Sequence, residues 1–162
     1  MTTSPLRLAA LGVAITATLV IAGCSMMGGG GGGSATGLPS GLTARMDQPG
    51  ATLDRAQALS LVNAYRATRG VQPLSPDTGL DGTAQALANQ YAQTGNAPGT
   101  PAGMTVMKLS AGYATFANTF SGWRNSPADA AGLAAQGSKA GIAVAYNAAS
   151  SYGIYWVLVV GN

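Results

Sequence analysis

Ile154-Tyr155-Trp156-Val157-Leu158-Val159-Val160 runs for seven residues without a charge, a glycine or a proline. A strand with one wet face alternates apolar and polar side chains; one buried on both faces does not. Upstream, Ile142, Val144 and Tyr146 do alternate, and the stretch from Asn147 to Ser151 between them is rich in turn residues. This predicts a β-hairpin whose second strand is buried on both sides. Such a strand needs elements above and below it, so the expected fold is α/β: a three-layer α/β/α sandwich around a small mixed or antiparallel sheet.

The helices for those layers can be read outward from the hairpin. Between Thr52 and Arg69, the apolar residues Leu53, Ala58, Leu61, Val62 and Tyr65 recur at three and four, with Gly70 as the stop. A second helix is expected from about Leu80 to Gln93, with Ala84, Leu87, Ala88 and Tyr91 on one face and Gly95 ending it. Met104 to Leu109 suits a short strand. Phe116, Phe120 and Trp123 form an aromatic stripe at helical spacing, which is expected in the core. Ser126-Pro127-Ala128-Asp129 reads as a helix start, with Ser as N-cap, Pro in the first turn and an acid near the positive end of the dipole. That helix should reach about Gln136.

Composition narrows the chemistry. The 162 residues contain no His, and the five acids are all Asp: Asp47, Asp54, Asp77, Asp81 and Asp129. Charged residues make up 8% of the chain and apolar ones 47%. The small excess of Lys and Arg is scattered, so nucleic acid is not an expected partner. One cysteine cannot form an internal disulfide, and a zinc site of Cys and His cannot be built. Nucleophilic catalysis needs a base beside its nucleophile, and no Ser-x-x-Lys or His-based pair occurs. Asp77 and Asp81 fit the start of the second helix, and Ser138 beside Lys139 fits a polar turn. The chain is therefore expected not to be an enzyme, and no cofactor is implied.

The first 23 residues have a short start carrying Arg7, an apolar run from Leu8 to Ala22 and small residues before Cys24. This is the pattern of a secretory signal. Fifteen apolar residues at about 1.5 Å each cover only about 22 Å of a bilayer core near 30 Å, too short to span it. Ile21-Ala22-Gly23-Cys24 resembles the lipobox of bacterial lipoproteins, which implies diacylglycerol on the Cys24 thiol, cleavage before it and a membrane as partner. Residues 24 to 50, with six glycines from Gly28 to Gly33, are expected to be a flexible tether, and residues 51 to 162 a single domain. Ser25, rather than Asp, after the cysteine favours the outer membrane by the usual sorting pattern. The expected location is thus the bacterial cell envelope.

The order of motifs resembles the CAP superfamily, shared by cysteine-rich secretory proteins, antigen 5 and plant pathogenesis-related 1 proteins. It begins with Asn63-Ala64-Tyr65-Arg66, continues through Gly70-Val71-Gln72-Pro73-Leu74, Asp77, Leu80 and Ala84-Gln85, and resumes at Gly122-Trp123 and Ser126-Pro127. Gly141-Ile142 and Tyr155-Trp156-Val157-Leu158 complete it. The resemblance implies an α/β/α sandwich of CAP type. Family members commonly line a cleft with two His and two acidic residues able to hold a divalent metal. Here the matching positions fall near Asn96, on Met107 with Lys108 after it, and on Asp129, a vestigial set with one hard anionic ligand. The resemblance thus implies a non-catalytic envelope protein with a binding or structural role, toward an envelope protein partner or a lipid. The alternative is a carrier of an apolar ligand such as a lipid in the cleft, with Met104, Met107, Tyr113 and Phe116 as lining.

Overall fold

The structure, a computed structural model, describes residues 37–162. The expected leader, Cys24 and the run of glycines lie outside the described residues. The elements are α1 (Ser40–Thr43), α2 (Arg55–Thr68), β1 (Ser75–Pro76), α3 (Thr78–Thr94), β2 (Val106–Ala111), α4 (Phe116–Asn125), α5 (Pro127–Leu133), β3 (Lys139–Tyr146) and β4 (Ile154–Gly161). The strands form one mixed sheet in the order β1-β3-β4-β2. β4 pairs antiparallel with both neighbours, and the two-residue β1 lies parallel to β3.

Every residue of β4 is buried, and the alternation of its side chains divides the core in two. Ile154, Trp156, Leu158 and Val160 belong to one cluster with Leu59 and Val62 of α2, Phe116 and Trp123 of α4, and Leu133 of α5. Tyr155, Val157 and Val159 belong to the other, with Leu80, Ala84, Ala88 and Ala92 of α3. The layers are therefore α3 on one face and α1, α2, α4 and α5 on the other, the expected α/β/α sandwich. The α3 layer sits close because its buried stripe is mostly alanine and faces Ala143 and Ala145. At Gly141 a Cβ would overlap the backbone of Leu80 and Asp81, so the first turn of α3 rests directly on β3.

The helix starts are set by side chains. Asp54 accepts from Gln57 N–H at 2.9 Å and Asp77 from Leu80 N–H at 3.0 Å. Each satisfies a donor that the helix leaves without an internal partner. Ser126 occupies the N-cap position of α5 but makes no side-chain cap hydrogen bond, so Pro127 in the first turn carries that start. α5 ends at Leu133, short of the expected Gln136, and β2 begins two residues later than expected, at Val106.

The aromatic stripe is core, as its spacing predicts. Phe116 and Trp123 are buried, and the Phe116 ring lies 6.2 Å from Trp123 and 5.7 Å from Trp156. Both indoles donate to carbonyls, Trp123 to Leu109 at 2.8 Å and Trp156 to Tyr113 at 2.7 Å. The fully buried Arg66 donates from Nε to the Gln72 carbonyl at 2.9 Å, and from Nη1 to those of Leu133 and Ala135 at 2.8 Å each. It thereby joins the end of α2, the following connector and the end of α5.

The expected start of the domain at residue 51 is corrected. Leu42 and Met46 are buried in the first cluster, and Met46 N–H donates to Ala114 carbonyl at 2.8 Å. All the described residues, from Gly37 onward, fall in one compact unit. These few apolar residues among Gly, Ser and Thr have the composition of a tether, yet they cover the ends of α2 and α4.

Candidate functional site

The three cleft positions predicted from sequence are not brought together. Asp129 lies in the first turn of α5, half-buried, and its Oδ1 accepts from Lys108 Nζ at 2.8 Å. Lys108 is the more buried partner, with 13% of its side chain exposed. It lies across α5, where a Cβ at Gly132 would stand 2.7 Å from Lys108 Cε. An ammonium therefore occupies the position facing Asp129.

Met107 points the other way. Its side chain is buried in the α3 cluster, whereas Val106 packs against the opposite one. Successive side chains of a strand project to opposite faces, so moving the match by one residue transfers it across the sheet. The position that faces Asp129 is Lys108, and Met107 is a core residue of the other layer. The signal is present in Val106–Ala111 itself: Met107, Leu109 and Ala111 are the apolar alternation that α3 covers, which leaves Lys108 on the α5 side.

Asn96 is exposed and follows the left-handed Gly95 that ends α3. Its backbone N–H donates to Thr94 Oγ1 at 3.1 Å. The buried face of α3 belongs to one cluster and Leu133 of α5 to the other, so Asn96 ends the layer across the sheet from Asp129. The proposed apolar lining divides in the same way. Met104 and Met107 pack in the α3 cluster, Phe116 is buried in the other, and Tyr113 is 43% exposed. Those four side chains do not line a common cavity.

Among the described residues no group of three or more His, Cys, Asp or Glu comes within reach of one ion. A divalent cation at Asp129 would have one carboxylate and would have to displace the Lys108 ammonium.

A different groove, of about 500 Å³, runs along the outer edge of β3. Leu59 of α2, Leu74, Pro76 and Ile142 supply apolar walls, and Arg55 and Asp81 stand at its polar end. Because β1 stops at Pro76, the β3 edge beyond it is capped by side chains. Asp81 Oδ1 accepts from Ile142 N–H at 2.9 Å, Arg55 Nε donates to Ile142 carbonyl at 2.9 Å, and Gln85 Nε2 donates to Val144 carbonyl at 3.0 Å. Sequence reading misses this set: Asp81 fits the start of α3, and nothing local links Arg55 to a strand 87 residues away.

A family model for CAP, the cysteine-rich secretory protein family, matches residues 59–160. No curated protein matches the chain. Among solved structures, an outer surface protein from Borrelia burgdorferi is similar with a TM-score of 0.56 at 16% identity, covering 67% of this chain and 92% of that one. MpPR-1i is similar with a TM-score of 0.52 at 22% identity, covering 65% of this chain and 82% of that one. At these identities the two likenesses show the shared fold.

Proposed function

Because the chain belongs to the CAP family, we propose that it is a non-catalytic member, anchored to the bacterial cell envelope by lipid on Cys24, with a binding or structural role. The observation that carries this reading is the Lys108–Asp129 ion pair. It neutralises the one carboxylate at the cleft, and the chain has no His and no Glu that could replace it. General acid–base work requires a group that can exchange its proton with substrate near neutral pH. The Asp129 carboxylate is instead engaged by the Lys108 ammonium at 2.8 Å, which stands where a substrate would have to approach it. The outer membrane is the favoured location, on the strength of Ser25 after the cysteine.

Two measurements test the reading. Replacing Cys24 by Ser should abolish incorporation of radiolabelled palmitate; undiminished labelling would overturn the anchor. Saturating zinc or calcium should leave the thermal midpoint unchanged, because a cation bound tightly to the native state must raise it. A rise of several degrees would overturn the non-catalytic, metal-independent reading of the cleft.

Carriage of an apolar ligand is a second reading. It draws its support from the groove along β3, whose walls are Leu59, Leu74, Pro76 and Ile142, and no longer from the cleft. Mass spectrometry of organic extracts of the purified protein tests it: a stoichiometric lipid lost in Leu59→Asp would support carriage, and its absence would count against it.

A further inference from the structure

We infer that the face formed by α1, α2 and α4 is the surface that this protein lays against an anionic phospholipid bilayer. The inference rests on the lipid-anchor reading above and adds the orientation of the domain.

Leu38, at the start of the described residues, is 57% exposed although large and apolar. It stands at the mouth of a groove between α2 and α4, where three shallow depressions of about 230, 290 and 350 Å³ adjoin one another. All three share Leu61, and no acidic residue lines any of them. The groove is open because α2 and α4 meet chiefly through the Tyr65 and Phe120 rings, whose centroids are 6.0 Å apart.

The charge of this face is complementary to such a bilayer. Four described cations, Arg45, Arg55, Lys108 and Lys139, are paired with Asp. Arg66 is buried, which leaves Arg69 and Arg124 as the exposed cations without an acid partner among the described residues. Arg124 lines two of the three depressions, and Arg69 follows Thr68, which lines one of them. Lys and Arg near an anionic surface are drawn to it, so an apolar contact with two cations around it suits the interface between headgroups and water.

The chain itself delivers this face. The segment that joins Cys24 to the domain enters at Leu38, and the stretch from Cys24 to Gly37 cannot exceed about 45 Å even when fully extended. The anchor thus pulls on the edge of the groove, whereas Tyr152, 60% exposed at the β3–β4 turn, packs against Tyr155 of the α3 cluster.

The test uses the chain from residue 24 onward, whose only cysteine is Cys24. Its thiol is coupled to a maleimide-bearing phosphatidylethanolamine in vesicles of phosphatidylglycerol, or in vesicles of phosphatidylcholine. Hydroxyl-radical footprinting then compares Leu38 and Tyr65 with Tyr152. In phosphatidylglycerol, oxidation of Leu38 and Tyr65 should fall about fivefold relative to Tyr152, and each of Arg69→Glu and Arg124→Glu should reverse most of that protection. Both positions are exposed, so these variants should keep their thermal midpoints to within about 2 °C. Equal protection of all three residues, protection of Tyr152 instead, no protection, or protection indifferent to charge reversal or to lipid headgroup would each overturn the inference. The coupling supplies the anchor chemically, so these outcomes are independent of palmitate labelling in cells, which tests the anchor reading alone.

Discussion

Trp123 joins two functions in one side chain: its ring fills the space beside Phe116, and its indole N–H satisfies the Leu109 carbonyl at the centre of β2. Trp123→Ala should cost about 3–5 kcal/mol, from lost burial and an unfilled cavity, measurable as a large drop in the urea midpoint. Trp123→Phe, which keeps most of the ring but orphans the carbonyl, should cost less, about 1–3 kcal/mol. Equal losses for the two would mean that the hydrogen bond, rather than the packing, dominates. Asp77 offers a test of pH dependence. Its carboxyl is held below the ordinary carboxylate range, first by the hydrogen bond from Leu80 N–H and further by Lys139. A folded value below the unfolded one means that its contribution is present above the unfolded pKa, near 4, and is lost as pH falls through the folded one. Asp77→Asn keeps a capping oxygen and removes the titration. Its stability should therefore fall less steeply than the parent's as pH drops below about 4, as followed by urea unfolding across acid pH.

At the level of elements, α1 and the residues after it belong to the fold, although their composition is that of a linker. A chain beginning at Ala51 removes Leu42 and Met46 from the core. Compared with a chain beginning at Gly37, it should lose at least about 2 kcal/mol, or roughly 6 °C in thermal midpoint; equal midpoints would show that α1 merely rests on the domain. The edge of β3 has a similar dependence on distant parts. A two-residue β1 leaves Ile142 and Val144 without a strand partner on the edge of β3 away from β4, and Asp81, Arg55 and Gln85 take its place there. An uncapped edge is a template for pairing with another chain. The double variant Asp81→Ala/Gln85→Ala should therefore self-associate, seen as a shift to higher mass in light scattering. A monodisperse monomer would mean that these side chains do not guard the edge.

Over the whole molecule, the layered architecture was legible because burial leaves a direct trace in sequence. The unbroken apolar run from Ile154 could only be a central strand, and the three-and-four spacing along α2 and α3 supplied its covering layers. The helix starts at Asp77 and Pro127 were equally open to reading, since capping and the proline preference act within one turn. The cleft was not. Its composition followed from the absence of His and Glu, but which of Met107 and Lys108 faces Asp129 depends on the side of the sheet to which each projects, and the layers packed on β2 fix that. Nor could the segment around Leu42 and Met46 be told from a tether, because two apolar residues carry no periodicity of their own. What the sequence determined alone was therefore local or periodic: the longer strands and helices, and the residue types available to them. The Lys108–Asp129 pair, the capped edge of β3 and the open face between α2 and α4 were decided by tertiary structure, because each joins residues far apart in the chain whose local patterns contain no record of one another.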